Sequence, residues 1–361
     1  MIIVSHTTQT LTSVNGDLSV SYQNYVLDVM HATKQISYFL LAIFRYFGAF
    51  GNTIFFVCSA WFLVDSKLAD KKKWLFMLIN IWVVSILILG ITFLLRQGDI
   101  SGKLILISVF PTTFMANWYM TCYLVFYLLH PVLNILIGHL DQKTHFRISL
   151  IMFILYFGFA FIRDTFYFYS NILLWITIYF IVAYLKIYCM NIMDSKKVNL
   201  WLVLVGIVLH LGLLGMTDIV GLHWHFMNDK LLYWAKNNNP FLLIITIGIF
   251  NLARQMHFVN CFINHLSKLT LLIYIIHENR LLRTYYRPAI VKNIYFHYGY
   301  DHVILWVLLL AAIIFIFAVI ASFIYEQTMQ RLVKKMSDRL FKIVWDKYLV
   351  FERWCLRINR D

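Results

Sequence analysis

The chain has 361 residues, of which 61% are hydrophobic and only 13% are charged, and its formal net charge is +14. A soluble domain is nearer half apolar and one quarter charged, so this composition excludes a soluble globular protein and indicates a polytopic membrane protein. The apolar runs are long and continuous, unlike the segments of about ten residues with alternating polarity that form outer-membrane barrels. They predict an all-α membrane helix bundle instead.

The apolar runs predict about ten membrane spans, the first of which is truncated in this chain. Residues 1–6 are too short to cross a membrane alone, since a span needs roughly 20 residues, and we expect them to be the end of a span. Residues 11–37 are polar and are predicted to form a loop. Residues 104–115 are apolar but short, which favours a re-entrant or interfacial segment. The other predicted spans are 38–63, 74–95, 118–137, 148–162, 171–190, 199–216, 241–253, 269–286 and 303–325.

Lysine and arginine residues predict the orientation. The tail over 326–361 carries nine of them, and Lys71, Lys72 and Lys73 follow the second span; such residues favour the cytosolic side. We therefore predict a membrane domain over 1–325 and a basic amphipathic cytosolic tail over 326–361. Because basic and apolar residues alternate in the tail at helical spacing, we expect it to lie on anionic membrane lipid. The excess charge adjoins membrane spans, so we expect no nucleic-acid partner.

The sequence gives no support for a disulfide framework or a metal centre. The five cysteines form no C-x-x-C pair, and we expect them to be small apolar side chains within lipid or protein. His223, His225 and Asp229 are metal-ligating residue types in one segment, but that segment offers too few defined ligands. We therefore expect no bound metal.

One predicted span ends in charged residues. Residues 269–283 read LTLLIYIIHENRLLR, which places His277, Glu278 and Arg280 at the end of an apolar helix. Charged groups in lipid are costly, so these residues are candidates for function. We expect His277 and Glu278 to face the protein interior. Arg280 is expected either to pair with Glu278 or to extend to the outer headgroups.

Three spans carry motifs in a fixed order. Residues 45–63 read RYFGAFGNTIFFVCSAWFL, residues 117–134 read NWYMTCYLVFYLLHPVLN, and residues 271–279 read LLIYIIHEN. Together they resemble the membrane acyltransferase family 3, whose members O-acetylate bacterial cell-surface and exported polysaccharides. The resemblance extends over essentially the whole chain and implies a multi-pass acyltransferase of the bacterial plasma membrane. It implies acetyl-CoA or another acyl-CoA as donor substrate, no bound cofactor, and a polysaccharide or lipid-linked glycan as acceptor.

The resemblance also implies a histidine near the outer half of the first span and an arginine some three helical turns before it. Residues 2–6 read IIVSH and match the histidine end, with His6 as the histidine. No matching arginine precedes it in this sequence. This departure agrees with the expectation, drawn from the length of the first apolar run, that the first span is truncated here.

Acyl transfer to a hydroxyl needs a base for the hydroxyl proton, and a free imidazole, with a pKa of about 6.5, suits that task. We predict His6 as the base, with His277 and Glu278 in a second catalytic cluster. A cation or hydrogen-bond donor has to stabilise the oxyanion, and coenzyme A phosphates favour lysine or arginine. The other predicted site residues are Arg45, Asn52, Trp118, Tyr119 and Arg280 for substrate binding, and Lys71, Lys72 and Lys73 for the donor phosphates.

Other interpretations stay open at this point. Arg45 could extend to the headgroups, Trp118 and Tyr119 could belong to an aromatic belt, and the lysine triplet could only fix topology. The alternative function is a polytopic transporter or flippase of glycan or lipid precursors, which would use the same intramembrane residues as ligand sites. Paired halves with broken helices are typical of transporters, and the sequence shows no such symmetry. A third interpretation is a polysaccharide polymerase. It would more typically need a long outer loop, and the outer loops predicted here are short.

Overall fold

The computed structural model describes residues 1–10, 35–96, 98–163, 170–224, 233–257, 259–298 and 302–358. Within these ranges every regular element is a helix, which confirms the predicted all-α fold. Most of the predicted loop at 11–37 lies outside them, as do His225 and Asp229. The helices, in chain order, are α1 (Ile2–Thr10), α2 (Gln35–Leu63), α3 (Lys71–Leu95), α4 (Gly102–Val109), α5 (Trp118–Gly138), α6 (Gln142–Ile162), α7 (Asn171–Tyr188), α8 (Met190–Met193), α9 (Lys196–His223), α10 (Pro240–Arg254), α11 (Cys261–Lys268), α12 (Thr270–His277), α13 (Arg287–Tyr298), α14 (Val303–Thr328) and α15 (Gln330–Ile358).

Seven helices in the described part of the chain are long and apolar enough to cross a membrane, which confirms a polytopic helical membrane protein. They are α2, α3, α5, α6, α7, α9 and α14. The apolar helix α10 has 15 residues, α1 has 9 and α12 has 8. At about 1.5 Å per residue, these three helices are shorter than the hydrocarbon layer. Every predicted span thus contains a helix, but the helices in three of the predicted spans are too short to cross the membrane.

The predicted span at 269–286 is not one continuous helix. α12 ends at His277, and a π-helical turn over Leu282–Tyr286 precedes α13. Between them the Asn279 side chain accepts a hydrogen bond from the Leu281 N–H at 3.0 Å. An asparagine side chain that bonds the local backbone competes with continuation of the helix, which is the physical reason for the break.

Polar caps determine where two of the apolar helices begin. Asp70 precedes α3 and accepts a hydrogen bond from the Lys73 N–H at 3.0 Å. Asn239 accepts hydrogen bonds from two N–H groups of the first turn of α10, and Pro240 occupies that turn. The Asn-Pro pair predicts this helix start, because proline lacks the N–H that a first turn leaves without an intrahelical partner.

The described residues form two compact units, whose boundaries fall within α5 and α14, among other places. The core of the first unit joins α2, α9, α10, α13 and α14 through buried side chains that include Leu41, Leu242 and Val307. In the same unit the Tyr46 ring meets the His210 ring edge-on at 4.6 Å. This unit comprises Met1–Lys67, Leu129–Asn260 and Arg283–Phe315.

The second unit is organised around α3, which packs with α4, α12 and α15. The Trp74 indole donates a hydrogen bond to the Leu124 carbonyl at 3.0 Å, and the Tyr325 hydroxyl donates one to Asn80 Oδ1 at 2.9 Å. Since a polar group without a partner is costly in an apolar environment, these bonds fix α5 and α14 against α3. The unit comprises Leu68–Leu128, Cys261–Leu282 and Ile316–Asp361.

Candidate active site

In the first unit α1 packs directly on α2, and two glycines permit the close approach. A Cβ atom at Gly48 would lie 2.6 Å from Ser5 Oγ, and one at Gly51 would overlap a side chain of α1. Ser5 Oγ also donates a hydrogen bond to the Arg45 carbonyl at 2.8 Å. Small residues allow helix backbones to approach in this way within membranes. The position of α1, and therefore of His6, is set by this face of α2.

His6 is half-buried on α1, and its carbonyl accepts a hydrogen bond from the Thr10 hydroxyl at 2.8 Å. Thr7 is buried and bonds its own helix in the same manner. Arg45 Nη1 lies 3.9 Å from the Cβ position at Gly48, beside the contact between the two helices. The first unit therefore places His6, the predicted base, and Arg45, a predicted substrate-binding residue, on the same pair of helices.

Asn52 has a structural partner. It is buried, and its Nδ2 donates a hydrogen bond to Asn237 Oδ1 at 3.1 Å. The next residue, Asn238, is buried as well and donates to the Tyr156 carbonyl at 2.9 Å. These contacts join α2 and α6 to the segment that leads into α10. This polar cluster is not among the predicted sites, although a run of three asparagines before Pro240 is a visible signal for it.

In the second unit His277 and Glu278 are both buried, with 4% relative exposure each, as expected from the cost of charge in lipid. His277 Nδ1 lies 2.7 Å from the Ile273 carbonyl oxygen. A carbonyl can only accept a hydrogen bond, so Nδ1 carries the proton and Nε2 holds the lone pair of the neutral ring. Arg280 is exposed, which favours its extending to the surface over a buried pair with Glu278.

Aromatic rings connect His277 to the start of α5. The Tyr274 ring lies edge-on to the His277 ring at 5.6 Å and 5.7 Å from the Tyr119 ring. Tyr119 is buried, and the half-buried Trp118 meets it edge-on at 5.7 Å. Two predicted substrate residues and one predicted catalytic residue thus lie along one aromatic series. Tyr274, which links them, belongs to the third motif but is not among the predicted site residues.

The lysine triplet begins α3, and two of its members contact the tail helix. Lys71 Nζ lies 4.0 Å from the Trp345 ring centroid and 5.2 Å from that of Tyr348. Lys72 Nζ lies 5.4 Å from the Phe341 ring centroid. The three rings stack in sequence along α15, with centroids 5.7 and 5.1 Å apart. Cation–π attraction of this kind holds α15 against the start of α3.

A cavity of about 720 Å³ opens beside the same lysines within the second unit. Lys72 and Lys73 line it, together with Arg331 and Lys334 of α15, whereas Lys71 does not. Three carboxylates also belong to the wall, those of Asp70, Glu326 and Asp338. Asp70 caps α3, and a Glu326 oxygen lies 3.5 Å from an imidazole nitrogen of His265. The four lysine and arginine side chains outnumber the carboxylates, which makes the cavity suited to an anionic ligand.

Residues 1–326 match the model of acyltransferase family 3, which is described as an acyltransferase domain. The match ends just before α15, so Arg331 and Lys334 of the cavity lie beyond it. No curated protein and no solved structure matches the chain.

Replacing Gly48 by alanine should displace α1 and with it His6. The added Cβ would meet Ser5 Oγ at 2.6 Å, and overpacking of this kind costs on the order of 1–3 kcal/mol. We expect a lower midpoint of thermal unfolding for the purified protein in detergent. Gly90→Ala is the matched control, because nothing lies within 4 Å of the Cβ position at Gly90. Equal midpoints for the two variants would contradict the close packing of α1 on α2.

Proposed function

The chain belongs to acyltransferase family 3 and is a membrane acyltransferase, and from that premise we propose the reaction that it catalyses. It moves an acetyl or other short acyl group from acyl-CoA to a hydroxyl of a cell-surface or exported polysaccharide, or of its lipid-linked precursor. The observation that carries the proposal is the basic cavity at Lys72 and Lys73. Coenzyme A carries several phosphate groups, so its binding site needs cationic side chains, and lysine and arginine are the residues that bind phosphate. A transporter or flippase would need no such donor.

His6 is the proposed general base. It removes the proton of the acceptor hydroxyl while that oxygen attacks the thioester carbonyl carbon. When the tetrahedral intermediate collapses, the carbon–sulfur bond breaks and the imidazolium returns the proton to the departing thiolate. The products are an ester on the glycan and free coenzyme A. The half-buried position of His6 supports this role, because a helix fixed against α2 holds the residue while part of it stays accessible.

His277 and Glu278 are proposed to act on charge that develops in the transition state. When its Nε2 is protonated, the His277 ring becomes a hydrogen-bond donor that can stabilise an oxyanion. Glu278 is buried next to it and is a suitable counter-charge for a cationic ring or substrate group. Tyr119 and Trp118 extend this group with aromatic faces on which a sugar ring can stack.

The remaining predicted substrate residues receive unequal support. Arg45 is beside the contact of α1 with α2, where a guanidinium is well suited to an anionic or oxyanionic group. Asn52 is engaged with Asn237, which favours a structural role. Arg280 is exposed and would contact an acceptor only at the surface.

We also propose an orientation in a bacterial plasma membrane, with the acyltransferase domain over 1–325 and a cytosolic tail over 326–361. The contact between Lys71 and Trp345 means that the start of α3 and the tail helix lie on the same side. Both segments are rich in lysine and arginine, which favours the cytosol for that side. Acyl-CoA is a cytosolic metabolite, so the cavity would open where its donor is found.

Replacing His6 by alanine should reduce acyl transfer by about 10²-fold or more, because general-base catalysis contributes rate enhancements of that order. The measurement is acetylation of the glycan by cells whose only copy of the protein is the variant. His139→Ala is the matched control, since His139 is exposed and follows the end of α5. Normal acetylation with His6→Ala, at equal protein levels in the membrane, would rule out the role.

Replacing both Lys72 and Lys73 by glutamine should raise KM for acyl-CoA by about tenfold or more, because each charge-assisted hydrogen bond contributes about 1.5–3 kcal/mol. The KM for the acceptor should change little. Lys196→Gln/Lys197→Gln is the matched control: it removes two exposed lysines from the start of α9, and neither of them lines the cavity. An unchanged KM for the donor in the double variant would leave the lysines as topology determinants only.

A further inference from the structure

The tail helix α15 has two distinct faces along its described side chains. Val333 and Ser337, one turn apart, are buried on the side that packs against α3. Phe341 and Trp345 continue that side at the same spacing and meet the lysine triplet. A helix repeats its faces every three to four residues, so the residues between these positions point elsewhere.

The contacts with α3 show how α15 runs. Phe341 and Tyr348 are seven residues apart, which is about 10 Å along a helix. Their cation–π partners, Lys72 and Lys71, are neighbours at the very start of α3. This is the pattern of a helix that crosses the end of α3 rather than one that runs beside it. Because α3 is long and apolar enough to span a membrane, a helix across its end lies at the membrane surface.

The face of α15 away from α3 carries an exposed apolar stripe. Leu332, Met336, Leu340 and Ile343 follow one another at intervals of four, four and three residues, and their relative exposures are 51%, 40%, 42% and 55%. Side chains at that spacing lie on one side of a helix. Such a row of large apolar groups in contact with water is unfavourable, so the stripe needs a partner.

A basic stripe borders the apolar one. Lys335, Arg339 and Lys342 are exposed, and each comes one position before an apolar stripe residue, which places them on the adjacent face. Over 330–347 the sequence has six basic and two acidic residues. An apolar stripe flanked by cations is suited to a bilayer surface, where the apolar groups enter the acyl boundary and the cations meet lipid phosphates.

We propose that α15 is a lipid-binding surface helix, and that its partner is the anionic headgroup layer of the membrane that the other helices span. Leu332, Met336, Leu340 and Ile343 insert below the headgroups. Lys335, Arg339 and Lys342 bind the phosphates of anionic lipid. Two other basic residues of α15, Arg331 and Lys334, line the cavity instead.

The test is amide hydrogen exchange of the full chain in nanodiscs of phosphatidylcholine alone or mixed with phosphatidylglycerol. Peptides covering 332–345 should exchange about tenfold or more slowly in the anionic discs, because each basic residue near an anionic surface adds to binding. The variant Lys335→Gln/Arg339→Gln/Lys342→Gln should lose that difference, and so should the unaltered protein in high salt. The matched control Lys143→Gln/Lys196→Gln/Lys197→Gln removes three exposed basic residues elsewhere and should keep it.

Equal exchange rates in the two kinds of disc would overturn the proposal. Protection that depends on protein concentration at fixed lipid composition would also overturn it, because the apolar stripe would then be covered by a second copy of the chain. Protection that persists in neutral discs and in the triple variant would show that the basic stripe has no lipid-binding role, which would equally contradict it.

Discussion

A backbone N–H or C=O group without a hydrogen-bond partner is costly in hydrocarbon, and the architecture of this protein depends on that constraint. It explains why every regular element in the described ranges is a helix. It also explains why polar side chains in these helices bond to their own backbone. The hydroxyls of Thr7, Thr53 and Thr177 each donate to the carbonyl four residues earlier. A polar residue in a span is therefore not by itself a functional site.

The helix break after His277 satisfies the same constraint. Helical hydrogen bonds are lost at this break. The two residues outside the helix, Glu278 and Asn279, are nevertheless buried, and the Asn279 side chain bonds the local backbone. Irregular backbone at membrane depth is tolerated where it is buried in protein or lines a cavity. The break thus places His277 and Glu278 at a buried helix end rather than on a lipid-facing surface. In the first unit, the close approach of Ser5 to Gly48 and the hydrogen bond of Ser5 to the Arg45 carbonyl fix α1, which carries His6.

Hydropathy predicted the apolar helices well, because a long apolar run is a local property of the sequence. The start of α10 at Asn239-Pro240 was predictable for the same reason. Contacts between distant segments were not: neither the pairing of Asn52 with Asn237 nor the stacking of Lys71 on Trp345 leaves a local signal. Hydropathy also could not separate a continuous span from α12 and its break. His6 would have passed unnoticed without the motifs, since nothing in composition distinguishes it.

The central claim is that a coenzyme A donor docks in the basic cavity beside α3 and α15. Photolabelling tests it most directly, with a coenzyme A analogue that carries a photoreactive group on its adenine ring and with peptide mapping of the purified protein in nanodiscs. The account predicts labelled residues within 70–76 and 326–338, the segments that contribute most of the cavity wall. Unmodified acetyl-CoA should compete for the labelling. Saturable labelling confined to other segments would contradict the claim.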